Sequence, residues 1–120
     1  MNIKELKSNQ VFVFGSNLNG HHLGGAAKQA IDYFGAIWGQ ATGLQGQSYA
    51  IATLDKNMQK LPLDKIQNQL KLLVQIAKEN KDKEFLLTPI GTGIAGFTLE
   101  EIKSILPKLP SNIIKVGRWD

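Results

Sequence analysis

The chain has 120 residues, no cysteine and a formal net charge of +4. Its length predicts a single domain over 1–120 that is large enough to bury a hydrophobic core. The lack of cysteine excludes disulfides, a thiol nucleophile and a thiolate metal site. No apolar run approaches the roughly 20 residues that span a bilayer, and the polar segment after Met1 is not typical of a signal peptide. We therefore expect a cytoplasmic protein without a membrane partner.

In chain order, the first half predicts a strand, a helix, a loop and a second strand. The apolar run VFVF (11–14) is typical of a buried parallel strand. Apolar positions at helical spacing from Leu23 predict a helix that ends at Gly35. The glycine-rich stretch 35–47 has no period and predicts a loop, and SYAIAT (48–53) predicts the next strand.

The second half continues the alternation of strands and helices. Pro62 opens a strongly amphipathic stretch that predicts a long helix, and FLLTPI (85–90) predicts a third strand. The segment 98–101 has the pattern of a capping box, which predicts the start of another helix, and IIKVG (113–117) predicts a final strand. Strands that alternate with helices favour an α/β sandwich, and we expect a mostly parallel sheet.

Eleven of the twelve glycines lie in two patches, eight within 15–46 and three within 91–96. Each patch follows a predicted strand, and α/β sheets bind ligands outside the carboxyl ends of their strands. Glycine is favoured where the backbone needs a positive φ or must lie close to another group. Two such loops predict one ligand held by main-chain N–H groups, and phosphate or pyrophosphate is the ligand most often held in this way.

Charged residues are scarce in these two patches. Within 15–46 the only formally charged residues are Lys28 and Asp32, and 85–99 contains none. Most lysines come after residue 55, on predicted helix faces and connections. This distribution favours weak, non-specific attraction to anions. A nucleic-acid partner therefore stays an alternative that we do not favour.

Several polar side chains near the patches are candidates for catalysis. Asn17 follows the first strand, where its amide can bond a ribose hydroxyl or a base edge. His21 and His22 are general acid–base candidates, and exposed loop histidines are the alternative. Asp55 and Lys56 follow the second strand, where an ordinary polar loop is equally compatible with the sequence.

Other kinds of site are not favoured. Adjacent histidines do not easily share one metal ion, and we expect no metal and no cofactor. Ser16 and Ser48 have no His–Asp pairing visible in the sequence, so we do not predict a serine hydrolase.

The order of these motifs resembles the macrodomain superfamily of ADP-ribose-binding modules. The matching segments are FGSN (14–17), GHHLGGAAKQA (20–30) and PIGTGIAGF (89–97), and the match extends over about 11–106. The chain is also similar to a small macro-like family of bacteria and phages. The resemblance implies a three-layer α/β/α sandwich with a mostly parallel sheet, and a small-molecule ligand such as ADP-ribose or an ADP-ribosylated macromolecule as partner.

The resemblance also assigns roles by position. It implies that Asn17 contacts the distal ribose, that the late glycine loop cradles the diphosphate, and that Phe97 lies against the distal sugar. The ligand-binding residues that we expect are Gly15, Ser16, Asn17, Gly24, Gly25, Ala26, Gly91, Thr92, Gly93, Ile94, Ala95, Gly96 and Phe97.

The chain departs from the hydrolytic members of the superfamily. Where those members commonly place an aspartate in the first glycine stretch, this chain has Ala26 or Ala27. Lys56 matches the lysine of one hydrolytic branch, but Ala95 stands where that branch has an aspartate. The expected function is binding of an NAD-derived nucleotide, with hydrolysis at the distal ribose left open. The alternatives are a non-catalytic nucleotide sensor and a basic nucleic-acid-binding domain.

Overall fold

The computed structural model describes residues 3–120. In this part of the chain a five-stranded sheet and three helices alternate, as the sequence predicts for an α/β protein. The elements are β1 (Gln10–Asn17), α1 (Gly25–Tyr33), β2 (Gly43–Gln45), β3 (Ser48–Leu54), α2 (Leu63–Glu79), β4 (Glu84–Leu87), α3 (Leu99–Ser104) and β5 (Ile113–Lys115). Within residues 3–120, no helix has the length and apolar character needed to cross a membrane.

The sheet is mixed, in the order β2-β3-β1-β4-β5, and this corrects the expectation of a mostly parallel sheet. β1 pairs in parallel with β3 and β4, and β4 pairs in parallel with β5. β2 runs antiparallel to β3, because only the two residues Gly46 and Gln47 join them and so short a turn can connect only antiparallel strands. The predicted loop 35–47 was therefore wrong over Gly43–Gln45, where three residues are too few to show a strand period.

Strand β1 lies at the centre of the sheet and is covered on both faces. Val11 and Val13 belong to the larger core cluster, together with apolar residues of α2 and α3. Phe12 and Phe14 belong to a second cluster with α1, where the ring of Phe12 lies 4.9 Å from that of Phe34. Successive side chains of a strand point to opposite faces, so a strand that is covered on both faces is apolar at every position, as in the run VFVF.

The predicted helix boundaries are confirmed at three places. α1 ends at Tyr33, and Gly35 has a φ of +76°, as expected of a glycine that terminates a helix. α2 begins directly after Pro62. At α3, Thr98 Oγ1 accepts from the Glu101 N–H (3.1 Å) while Glu101 Oε1 accepts from the Thr98 N–H (2.9 Å), which completes the capping box.

Strand β4 is shorter than predicted, ending at Leu87 instead of Ile90. Its pairing with β1 stops there, and the Thr88 hydroxyl donates to the Val13 carbonyl oxygen (2.7 Å) at the last position of the ladder. Pro89 has no N–H with which to continue the ladder. The chain therefore leaves the sheet two residues before the second glycine patch. Because β1, β3, β4 and β5 are parallel, the loops that follow them lie at one edge of the sheet.

Candidate functional site

A cleft of about 560 Å³ lies at this carboxyl edge of the sheet. The segments that follow β1, β3, β4 and β5 all contribute to its walls. The structure brings most of the predicted ligand-binding residues together here: Gly15, Ser16, Asn17, Gly24, Gly25, Ala26, Gly91, Thr92, Gly93, Ile94 and Ala95. His21, a predicted catalytic residue, also lines the cleft. Glycines from both patches thus line one cavity, although Gly25 and Gly91 are 66 residues apart in sequence.

The two glycine loops approach each other closely across the cleft. A Cβ atom on Gly15 would lie 3.2 Å from the Gly91 backbone nitrogen, so the missing side chain lets the second loop pass directly over the end of β1. Nearer the mouth, a Cβ atom on Gly24 would lie 3.5 Å from the Ile94 side chain. Glycines of the first patch therefore lie against the second glycine loop at two places in the cleft.

The three glycines of the second loop have different tasks. Gly91 and Gly96 have φ values of +76° and +75°, which favour glycine, and they set the course of the loop. Gly93 does not have a positive φ, and a Cβ atom there would meet nothing within 4 Å. Its backbone does not require glycine, so what its missing side chain preserves is open space in the cleft.

The amino end of helix α1 supplies free donors to the same cavity. Its N-cap residue is Gly24, so no side chain accepts from the first N–H groups of the helix, and its first turn has no acidic residue. These N–H groups carry the partial positive charge of the helix N-terminus. The charged residues of this helix, Lys28 and Asp32, do not line the cleft and pair with each other. The hydrogen bond to Asp32 raises the pKa of Lys28 and keeps the two exposed charges together.

Asn17 organises the loop that follows β1. Its Oδ1 accepts from the N–H groups of Asn19 and His21, both at 3.1 Å, and its Nδ2 donates to the His21 carbonyl oxygen at 2.8 Å. These bonds occupy the amide oxygen fully and leave one amide hydrogen for a ligand. Asn17 lines the cleft as predicted, but its larger task is to hold the turn that carries His21.

The two adjacent histidines have different surroundings. His21 is exposed at the cleft and stacks on the exposed ring of Trp38, with ring centroids 4.7 Å apart. His22 is only 3% exposed and does not line the cleft. Its ring meets Phe14 edge to face at 5.0 Å, and its two nitrogens face Ser16 and Gln45. The alternative suggested by the sequence, an exposed loop histidine, therefore holds for His21 but not for His22.

Asp55 and Lys56 are not brought to the cleft. The Asp55 carboxylate accepts from the N–H groups of Asn57 (2.8 Å) and Gln59 (3.0 Å), and it thereby closes the turn after β3. Lys56 is exposed, and its carbonyl oxygen accepts from the Asn19 side chain at 3.0 Å. Neither residue is part of the lining, so the structure places both in an ordinary polar loop.

Gly96 and Phe97 also lie outside the cleft. The Phe97 side chain is 6% exposed and packs in the larger core cluster, and its N–H donates to the Gly91 carbonyl oxygen at 2.8 Å. Its ring thus packs beneath the loop, and the cleft lining does not include the aromatic contact to a sugar that the resemblance implies. The Gly96 N–H donates to the Gly93 carbonyl oxygen at 3.0 Å, which closes the same loop.

Arg118 is a cleft residue that the sequence reading did not find. Among residues 3–120, it is the only formally charged residue in the lining. The neighbouring Trp119 anchors this segment: its indole N–H donates to the carbonyl oxygens of Leu87 (3.1 Å) and Val116 (3.0 Å). A basic residue just after a strand that alternates with helices was the available signal, because the carboxyl ends of such strands face the ligand edge.

Met58 is another lining residue that the sequence did not predict. It is the one non-glycine residue with a positive φ (+60°) in the described part of the chain, and it lines the cleft. A strained backbone of this kind persists only where the surrounding structure enforces it, here through the Asp55 turn. Nothing in the sequence signals this conformation.

We compared the chain with models of protein families, with curated proteins and with solved structures, and none of the three comparisons gave a significant match.

Proposed function

We propose that this protein binds ADP-ribose or a related NAD-derived nucleotide in the cleft, as a three-layer α/β/α module of macrodomain type. The observation that carries the proposal is the convergence of two glycine loops and an uncapped helix N-terminus on one cavity. We further propose that binding takes place in the cytoplasm.

The diphosphate is the part of the ligand that the lining explains best. Main-chain N–H groups at glycine loops and helix N-termini hold phosphate oxygens without a lysine. Such donors are fixed before the ligand arrives, so little ordering of side chains opposes binding. Arg118 adds one guanidinium, whose fork of donors matches phosphate oxygens. A ligand with two linked phosphates fits this distribution of donors better than a single carboxylate does.

The remaining lining suits the sugar and base of a nucleotide. Leu23, Met58 and Ile94 are 60%, 41% and 70% exposed, and all three line the cleft. When exposed apolar side chains contact a partly apolar ligand, both lose apolar surface to water, and this burial favours binding. The volume of about 560 Å³ lies within the range of about 300–1,000 Å³ that is usual for ligands of this size.

Calorimetry and thermal shift with ADP-ribose, AMP, NAD and inorganic phosphate test the proposal. A ligand at 100 times its Kd stabilises the folded state by about 2.7 kcal/mol. We expect ADP-ribose to give the largest shift and inorganic phosphate the smallest. No shift with any of the four ligands would refute the proposal.

The variant Gly93→Val locates the binding. Because this position has open space and no positive φ, the variant should fold with an unchanged melting temperature while the valine side chain blocks the cleft. We expect the shift with ADP-ribose to disappear, and Gly93→Ala should give a smaller loss. The nucleic-acid alternative predicts the reverse: affinity for RNA or DNA that falls steeply with salt and is the same in both variants.

A further inference from the structure

A buried array of three side chains adjoins the cleft, and two of the three lie outside its lining. The Ser16 hydroxyl oxygen lies 3.4 Å from His22 Nδ1, and His22 Nε2 lies 3.2 Å from Gln45 Oε1. All three side chains are buried, and only Ser16 lines the cleft. We propose that Ser16 is a nucleophile activated by His22, and that the cleft thereby hydrolyses carboxylic esters with a small acyl group.

The contacts of Gln45 determine which nitrogen of His22 carries the hydrogen. The Gln45 amide nitrogen donates to the carbonyl oxygens of Gln40 (3.1 Å) and Gly43 (3.3 Å), so the amide cannot be flipped without losing both bonds. Its Oε1, which accepts from the Ile37 N–H at 2.7 Å, therefore faces His22. An amide oxygen only accepts, so His22 Nε2 must donate. In the neutral ring, Nδ1 is then the acceptor, and it faces the Ser16 hydroxyl.

This is the arrangement of a nucleophile, a base and a group that orients the base. The edge-to-face contact with Phe14 also holds the imidazole, so the ring is positioned before a substrate enters. In this structure the Ser16 hydroxyl also lies 3.3 Å from the Asn17 carbonyl oxygen, and its hydrogen can point to only one acceptor at a time. Catalytic hydrogen bonds are often long in a ligand-free site and shorten in the complex.

The position of Ser16 limits the substrate. The residue is 5% exposed and lies where the pairing of β1 with β3 shifts register, between Ser16 and Asn17. A serine that is so little exposed favours a small acyl group over a long one. The uncapped N–H groups of α1 line the same cleft and are the donors available to a negatively charged carbonyl oxygen.

The reaction balances without a cofactor. Ser16 Oγ bonds to the acyl carbon while its proton moves to His22 Nδ1, and the alcohol then leaves with that proton as the ester C–O bond breaks. Water next attacks the acyl-serine, and His22 accepts its proton. The bond between Ser16 and the acyl carbon breaks, the proton returns to Ser16 Oγ, and a carboxylic acid is released. This chemistry goes beyond nucleotide binding and does not depend on it.

A small alkyl fluorophosphonate tests the nucleophile directly. Ser16 Oγ would bond to phosphorus, fluoride would leave, and the serine proton would pass to His22. We expect intact-mass spectrometry to show one phosphonyl adduct per protein. Mass spectrometry of the digested protein should place this adduct on the peptide that contains Ser16. The control is Ser48→Ala, because Ser48 is also buried but does not line the cleft, and its hydroxyl donates to the backbone carbonyl oxygen of Gln45 and not to the amide that faces His22. This variant should keep the adduct, whereas Ser16→Ala should lose it.

Hydrolysis of p-nitrophenyl acetate measures the turnover. Ser16→Ala should abolish it, and His22→Gln should lower its rate about 10²–10⁴-fold, the usual contribution of a general base. If His22→Gln does not fold, the proposal is tested by the adduct and the hydrolysis rate of Ser16→Ala compared with those of Ser48→Ala. No adduct on the wild-type protein, or an adduct that persists in Ser16→Ala, would show that the array only supports the loop. Thermal shift with ADP-ribose in the same samples tests the proposed binding separately.

Discussion

Gly91 and Gly93 lie two residues apart in the same loop, yet replacement by alanine should change the free energy of unfolding differently at the two positions. Gly91 has a φ of +76°, and a Cβ atom there would lie 3.0 Å from the Phe97 ring, 3.3 Å from Ile102 and 3.4 Å from Thr53. At Gly93 the φ is not positive and the added atom would meet nothing within 4 Å. The chemical change is the same at both positions, so a difference in stability must come from the backbone conformation and the neighbouring atoms.

The magnitude for Gly91→Ala follows from two costs. A left-handed conformation costs a residue with a Cβ atom about 1–2 kcal/mol. The new methyl group also presses on Phe97 and Ile102, which are 6% and 0% exposed and have little room to move, and overpacking of this kind costs about 1–3 kcal/mol. We therefore expect Gly91→Ala to lower the free energy of unfolding by roughly 2–5 kcal/mol.

Gly93→Ala should leave the stability unchanged or raise it slightly. Replacing a glycine whose conformation alanine can adopt stabilises a protein by about 0.4–1 kcal/mol, because the unfolded chain loses freedom. Urea unfolding followed by far-ultraviolet circular dichroism measures both variants, provided that their m-values match that of the wild type. Equal destabilisation by the two substitutions would refute our account of the loop.

Two further predictions concern the charge at the cleft and the cap of α3. Arg118→Ala should weaken binding of ADP-ribose about tenfold or more, since a hydrogen bond to a charged group contributes roughly 1.5–3 kcal/mol. Binding of adenosine, which has no phosphate, should not change. Calorimetry checks this, with Lys108→Ala as the control, because Lys108 is exposed and does not line the cleft. At α3, the hydrogen bond from the Thr98 N–H lowers the pKa of Glu101. Because this pKa is lower in the folded state, the stabilisation is present above the ordinary glutamate value of about 4.3 and is lost as the pH falls through the folded value. The difference in free energy of unfolding between the wild type and Glu101→Gln should therefore become smaller in acid. A difference that is constant from pH 7 to pH 3 would contradict a stabilising role of the Glu101 carboxylate in the capping box.

Much of the fold could be predicted because it is encoded in short segments. The continuous apolar run at 11–14, the glycine after α1 and the capping box at Thr98 each depend on neighbours within a few residues. The antiparallel strand Gly43–Gln45 escaped prediction because its three residues form a strand only by pairing with β3. Phe97 was assigned to the ligand for a similar reason, since an aromatic residue beside a glycine loop does not reveal which side of the loop it faces.

The sequence by itself determined that two glycine-rich loops follow two buried strands and that these loops contain almost no charge. Only the tertiary structure decided what surrounds them. Arg118 enters the cleft because β5 pairs beside β4, and Asp55 is excluded because its carboxylate closes its own turn. Ser16 and His22 are six residues apart, but the neighbour that orients the histidine is Gln45, on another strand. Local propensities act over a few residues, whereas a site is made of side chains that meet only when distant segments pair.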